Sequence, residues 1–283
     1  MFVIYHGAFP SPKAAALFAA KNCEAFAAKG VAVTLIAPRR IGGITDDSYD
    51  YYQIIKNFRV VLLPTLDLFW LPIPEKISFF VSYTAFSCAA LIFLLFRARQ
   101  SNVIYSNESL PLFLASFFFG KTFYEMHDFP ESKLFFFARF IRRMRWILIH
   151  NQWKVGRFQD VFALPHGRIL CQSNAVEIEA FDIPMSKDEA RERLRLPREK
   201  RMVVYTGSLF RWKGVDTLAQ ASRYLSDNTI TVFVGGAPED VSRFRERYAS
   251  DPKLMIVGYR KHEEMPVWQK AADVLVLPNT ATE

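Results

Sequence analysis

The chain has 283 residues, about two domains' worth, and is 51% hydrophobic and 23% charged, which excludes an intrinsically disordered protein. Lys and Arg outnumber Asp and Glu by 36 to 28, so the net charge of +8 and the pI near 9.4 call for anionic company: nucleic acid, acidic lipid head groups or a phosphorylated small molecule. Cys23, Cys88 and Cys171 stand alone and the five histidines never fall at i, i+4, so spacing supports neither a disulfide framework nor a zinc site, and a reducing compartment is expected.

The N-terminus has no basic segment ahead of its short apolar run, so FVIY reads as a buried strand and not as a secretory signal. Ser11 and Pro12 form an expected N-cap and first helical position, residues 13–29 are Ala-rich with helical propensity, and Gly30 suits a C-terminal cap. VAVTLIAP then follows as a β-branched strand, closing a βαβ unit of the kind that opens a parallel, doubly wound sheet. Ile77 to Phe96 carries no charge, and only Ser78, Ser82, Thr84 and Ser87 interrupt its hydrophobic run. At about 1.5 Å per residue it is long enough for a bilayer core, and two readings stay open: a helix buried on the sheet or touching a membrane, and a spanning helix.

SNVIYSNES is the next expected strand, LPLFLASFFFG a helix, and TFYEM a strand running into His127 and Asp128, the carboxyl end where open α/β sheets hold ligands. Leu134, Phe137, Ile141 and Met144 recur at helical spacing among Arg139, Arg142, Arg143 and Arg145, and no acidic residue occurs between Ala138 and Gln159. That cationic helix is either a solvated cover of the sheet or a surface for acidic lipid; no nucleic-acid motif accompanies it. WILIHN and RILCQSN continue the strand alternation. His6, His150, His166 and His262 read as structural, and Tyr5, Tyr105 and Trp212 as packing residues.

After FDIPM, a linker, a charged helix starts at Ser186, and RMVVYTG, ITVFVGG, KLMIVGY and DVLVLP make a second βαβαβ series. The expected division is 1–184 and 185–283, two Rossmann-like halves. ADVLVLPNTATE stops just after a strand-like run with no helix to cover it, which is the pattern of a truncated sequence.

The strongest local chemistry is VVYTGSLFRWKGVDTL. A strand ends at Gly207, a short loop carries Arg211 and Lys213, and Gly214 opens a helix. Glycine allows close backbone approach, and a lysine beside helix N-terminal amides favours phosphate. GxxxxGK[ST] is absent, so this is no Walker loop. The residues alone leave an anion site and an ordinary strand-to-helix turn both open.

Together, TGSLFRWKGVDTLAQA, VFVGGAPED and VGYRKHEEMPVWQKAADVLVLPN resemble the donor half of glycosyltransferase family 4 over roughly residues 185–283, and the NCEAFAAKG helix and YEMHD of the first half are similar more loosely. The resemblance implies a GT-B fold: α/β, with two Rossmann-type parallel-sheet domains facing a cleft, the second incomplete here. It implies that Lys213 contacts a donor diphosphate, with Gly207 giving the backbone room and Ser208 standing where the family often has arginine, a place Arg211 fills. Gly235 and Gly236 match the turn at the next strand end, and Gly258, Tyr259 and Arg260 the segment facing the nucleotide base. His127 matches the first-domain histidine that reaches the donor sugar. Pro10, Ser11 and Lys13 lie on the acceptor side, in a loop without the family's Gly-Gly pair. Glu283 falls near the first glutamate of the family's Glu-x7-Glu motif; the second is missing, which implies an incomplete and inactive chain.

The implied activity is retaining hexosyl transfer from a nucleotide-diphosphate sugar to a glycan or lipid-linked saccharide. It needs no metal or other cofactor and no nucleic acid, and the protein would be cytoplasmic and peripheral on the inner membrane face. The rival reading is a non-catalytic sugar-nucleotide-binding or membrane-docking protein of the same fold.

Overall fold

The structure is a computed structural model that describes residues 1–130, 134–248 and 250–279. Glu283 lies outside the described residues. Contacts divide the chain into two units, Met1–Asn174 and Ala175–Glu283. That division falls ahead of the 184/185 boundary expected from sequence, because Ile183 and Met185 of the presumed linker pack on the second unit's core and Phe181 meets His262 edge-on.

The first unit runs β1 (Phe2–Ile4), α1 (Ala14–Ala28), β2 (Thr34–Pro38), α2 (Ser48–Tyr52), β3 (Arg59–Leu63), α3 (Glu75–Arg97), β4 (Ile104–Ser106), α4 (Ser109–Ala115), β5 (Thr122–Met126), α5 (Leu134–Arg143), β6 (Trp146–Ile149), α6 (Gln152–Phe162) and β7 (Ile169–Cys171). Its sheet is parallel in the order β3-β2-β1-β4-β5-β6-β7. Strand order reverses between β1 and β4, which makes the carboxyl ends of those two strands a topological switch point. Side chains alternate between two cores. Ile4, Ile36 and Ile104 join the face covered by α3 to α6, while Val3, Tyr5, Leu35, Ala37 and Tyr105 join the face covered by α1 and α2. Each fully buried aliphatic side chain contributes about 1.5–3 kcal/mol.

Helix α1 begins at Ala14 with Lys13 as N-cap and no side-chain cap bond, not at the Ser11–Pro12 start expected from sequence. Tyr52 explains the delay. Its hydroxyl accepts from Ser11 N at 2.7 Å and donates to Ser11 O at 2.9 Å, pinning that residue outside the helix. Gly30 follows the helix at φ +83°, the left-handed conformation expected of a terminating glycine.

The uncharged stretch forms α3, packed on the sheet by one face. Phe86, Ala90 and Leu94 are fully buried there, and so are Ser78, Ser82 and Ser87. The buried hydroxyls are satisfied locally: Ser78 donates to Leu68 O at 3.2 Å and Ser87 to Tyr83 O at 2.7 Å. Aromatic bulk points the other way, with Phe80 69% and Phe96 85% exposed. In α5, Phe140 and Ile141 are buried with the following Met144, whereas Phe135, Phe136, Arg139, Arg142 and Arg143 are exposed. Arg168 donates to the carbonyls of Ile141, Arg142 and Met144 and so caps the end of that helix.

The second unit runs α7 (Ile178–Phe181), α8 (Lys187–Arg193), β8 (Arg201–Thr206), α9 (Val215–Ala221), β9 (Thr229–Val234), α10 (Pro238–Tyr248), β10 (Leu254–Gly258), α11 (Met265–Lys270) and β11 (Val274–Leu275). The sheet order β10-β9-β8-β11 repeats the β3-β2-β1-β4 order of the first unit, again with every pair parallel. Ser186 caps α8 through a capping box with Glu189, as its sequence position predicts. One ionic node ties this unit together. Arg191, 3% exposed, donates to the carbonyls of Ala271, Arg198 and Lys200 and to Asp273 Oδ2, which also accepts from Met202 N at 2.8 Å. Lys187 Nζ reaches Asp273 Oδ1 at 2.6 Å.

Burial by itself would raise the Asp273 carboxyl, but these bonds from Lys187, Met202 and Arg191 outweigh it and hold it at about 2. A depressed carboxyl contributes stability that is present above its unfolded-state value near 4 and is lost as pH falls toward 2. Asp273→Asn should therefore lower the unfolding free energy at pH 7 by about 1.5–3 kcal/mol, the range for hydrogen bonds to charged groups. Urea unfolding should show the gap to the native chain shrinking below pH 4; a gap that is constant with pH would contradict this role.

Candidate functional site

In the second unit, three glycines end neighbouring strands in conformations other residues avoid. Gly207 follows β8 at φ +151°, Gly235 follows β9 at +117°, and Gly258 ends β10 at +87°. They are linked in series: Gly207 N donates to Val234 O at 2.9 Å and Gly235 N to Gly258 O at 2.8 Å. Bulk is excluded as well as conformation. A Cβ on Gly235 would lie 2.3 Å from Gly207 O, and one on Gly207 would lie 2.9 Å from the Tyr205 hydroxyl. Gly236, at φ +91°, packs on Leu209 and Val241 and turns the chain into α10. The result is a carboxyl edge along β10, β9 and β8 made largely of main chain.

The next loop carries two cations. Arg211 to Lys213 form a single 3₁₀ turn, and Gly214 at φ +71° passes against Pro278 O before α9 begins. Tyr205, 1% exposed, donates to Ser208 O at 2.7 Å and fixes the loop's start. Lys213 Nζ lies 4.2 Å from the centre of the Trp212 ring, and Phe210 stacks on Trp212. Trp212 is 51% exposed, which corrects its expected place in the core: its neighbours are the loop's own aromatic and lysine. The Arg211 side chain is 88% exposed and faces Asp216 at 3.6 Å, a carboxylate that also takes bonds from Arg247 and Tyr248. Between this loop and α10 runs an open groove of about 630 Å³, lined by Leu209, Phe210, Arg211 and Trp212 with Asp240, Arg243, Glu246 and Arg247 opposite. Tyr259 and Arg260 are exposed beyond Gly258, with Arg260 donating to Tyr259 O. Gly207, Ser208, Arg211, Lys213, Gly235, Gly236, Gly258, Tyr259 and Arg260 thus belong to strand ends and loops of one sheet.

The corresponding edge of the first unit is richer in ionisable groups. Pro10 and Ser11 are buried in the loop after β1 and Lys13 is exposed. His6, 5% exposed, takes an Arg40 guanidinium contact on Nε2 at 3.1 Å, and its amide donates to Glu108 Oε1. Burial, then the charge of Arg40, lowers its pKa to about 4, so the ring is neutral at pH 7. Tyr5 and Tyr105 are buried as expected. His127 follows β5 directly, with Phe18 of α1 edge-on to its ring and its carbonyl held by Lys154 Nζ.

Two residues beside His127 were not expected at a site: Glu125 drew no reading from sequence and His150 was read as structural. Glu125, 3% exposed, accepts from Tyr105 at 2.5 Å, and His150 Nε2 lies 3.0 Å from its other oxygen. The signal available was positional. Glu125 is an acidic residue inside an apolar strand, and His150, like His127, immediately follows one. Pairing across strands, which no linear spacing shows, brings them together.

Known proteins bear on both units. Residues 186–283 match the family model described as glycosyl transferases group 1. That match covers most of the second unit and about a third of the chain. The protein TuaC of Bacillus subtilis, named for a glycosyltransferase role in teichuronic acid biosynthesis, is 33% identical over 140 residues, which is 44% of this chain and 34% of TuaC. The chain therefore matches about a third of that relative's length. Sucrose-phosphate synthase from Thermosynechococcus elongatus superposes with a TM-score of 0.75 at 18% identity, covering 98% of this chain and 75% of that one. HepE of Anabaena, solved with UDP and glucose, gives 0.71 at 15% identity over 100% of this chain and 75% of HepE. The fold is α/β and GT-B-like, with a Rossmann-like parallel sheet in each unit.

The contrast between two glycines tests the crowded edge. Gly30→Ala meets open space and should cost only the left-handed penalty of about 1–2 kcal/mol. Gly235→Ala adds a collision with Gly207 O and should cost clearly more in urea unfolding. Equal costs would show that the edge relaxes freely.

Proposed function

We propose that the protein is a retaining glycosyltransferase of hexosyl type that transfers a sugar from a nucleotide-diphosphate donor to a glycan or lipid-linked saccharide. The observation that carries the reading is the glycine-built edge of the β8-β9-β10 strands, followed by the loop that carries Arg211 and Lys213, inside the region that matches the group 1 family. TuaC's name and the UDP and glucose bound by HepE agree with such a donor and acceptor.

The physics favours a leaving diphosphate. As the glycosidic bond breaks, negative charge grows on that group, and fixed donors aimed at it stabilise the transition state more than the ground state. The main-chain amide of Ser208, given room by Gly207, with the cations of Arg211 and Lys213 would supply those donors without a metal. Helix α9 spans only Val215–Ala221, so its dipole adds little and the side-chain cations carry most of the charge. Gly258, Tyr259 and Arg260 are assigned to the base, His127 to positioning the donor sugar, and Pro10, Ser11 and Lys13 to the acceptor.

The same reading places the protein in the cytoplasm, peripheral on the inner membrane face. Its support is the exposed aromatic face of α3 and the exposed Phe135, Phe136, Arg139 and Arg142 of α5, an apolar surface beside a cationic one.

Lys213→Ala should weaken UDP or GDP binding by about 1.5–3 kcal/mol, read by calorimetry, with loss of sugar transfer. Unchanged nucleotide affinity would remove Lys213 from the donor site.

Flotation with acidic vesicles should succeed at low salt and fall as salt rises, since attraction between exposed charges is screened over about 10 Å at 0.1 M. Replacing Arg139 and Arg142 by Glu should abolish it. Indifference to both salt and lipid charge would refute the basic-helix contact.

A further inference from the structure

We infer that Glu125, His127 and His150 form a binding site for one zinc-type divalent cation at the carboxyl edge of the first sheet. Period-2 alternation turns Glu125 toward the α1 face of β5, the same face from which Tyr105 projects on β4. His127 and His150 stand just past the ends of the adjacent strands β5 and β6, where parallel register sets Met126 beside Ile149. Three potential ligand atoms thereby converge, all within 4.8 Å of one another.

Two of the three separations suit a metal. Glu125 Oε1 lies 3.0 Å from His150 Nε2 and 3.7 Å from His127 Nε2. A tetrahedral ion with ligands at about 2.0–2.1 Å sets its ligand atoms about 3.3 Å apart, midway between those values. Both Nε2 atoms are shut off from solvent and neither makes a hydrogen bond, the 3.0 Å approach to Glu125 being poorly aligned for one. Buried ring nitrogens without a partner are costly, and a cation among the three atoms would satisfy both at once.

The outer groups are arranged as they are around metal ligands. His150 Nδ1 sits 3.1 Å from Gln172 O, an acceptor only, so that nitrogen carries the proton and Nε2 presents its lone pair. The Tyr105 hydroxyl holds Glu125 Oε2 at 2.5 Å and leaves Oε1 to face the histidines. Phe18 packs edge-on against both imidazoles. A His₂Glu set with a fourth position open is a donor set that zinc accepts. The His127 side chain, 35% exposed, gives the ion a way in. The inference does not rest on the glycosyltransferase reading, although both claim His127, and its readouts are independent of transfer.

The test is titration of the metal-free full chain with Co²⁺ as an optical probe and with Zn²⁺ by calorimetry. One equivalent should bind with the ligand-field bands of a four-coordinate Co²⁺ centre. His150→Gln and Glu125→Gln should each weaken binding more than the roughly 10–100-fold typical of an outer-shell change, and Tyr105→Phe should fall inside that range. X-ray absorption on the zinc-loaded native chain should count two imidazoles, a readout that survives if a variant fails to fold. Absence of a stoichiometric site, binding indifferent to His150→Gln in a folded variant, or sulfur in the metal shell, which would move the ion to a cysteine such as Cys171, would each overturn the assignment.

Discussion

Every paired strand in both sheets runs parallel, and that one constraint places everything of chemical interest. A parallel strand returns to its starting side through a crossover, so all carboxyl ends gather on one edge and all first loop residues with them. His6, His127 and His150 in the first unit, and Gly207 and Gly235 in the second, are each the first or second residue beyond a strand. The sheet needs no long-range design to cluster them; register does it.

The two units spend this shared edge differently. Both follow a buried tyrosine with a glycine two residues later, Tyr5 with Gly7 and Tyr205 with Gly207, and in each pair a Cβ on the glycine would strike the phenol. From that common start the second unit strips its edge to main chain and brings cations in on a loop, a surface suited to a large, flexible anion. The first unit instead fills its edge with buried ionisable groups, Arg40 against His6 and Glu125 between two histidines, each held by second partners. Such groups are expensive to bury and so are fixed in place.

Much of this was legible in the residues. β-branched runs, the Ser186 capping box, Gly30 and the strand-loop-helix pattern around Gly207 all act locally, and local chemistry survives in one sequence. What was hidden depended on contacts far along the chain. Tyr52 displaced the start of α1 by holding Ser11. Trp212 found Phe210 and Lys213 instead of a core. Glu125 looked like one polar residue in an apolar strand until β4 and β6 set Tyr105 and His150 beside it. No periodicity encodes a pairing between strands, so the sequence reading saw each residue and missed the group.

Helix α3 carries a consequence of another kind. Ser78, Ser82 and Ser87 are buried while Phe79, Phe80 and Phe96 are exposed, against the usual pattern of an amphipathic helix. Small buried residues let the helix backbone lie close to the strands, so this layer is secured by proximity and local hydroxyl bonds as well as by Phe86 and Leu94. Phe80 and Phe96 contribute little to that attachment, whereas Phe79 stacks on Tyr83 and meets His6 edge-on. The exterior of the helix at Phe80 and Phe96 is thereby uncoupled from the folding of the unit, and its composition can drift with whatever environment the protein inhabits while the sheet beneath stays as it is.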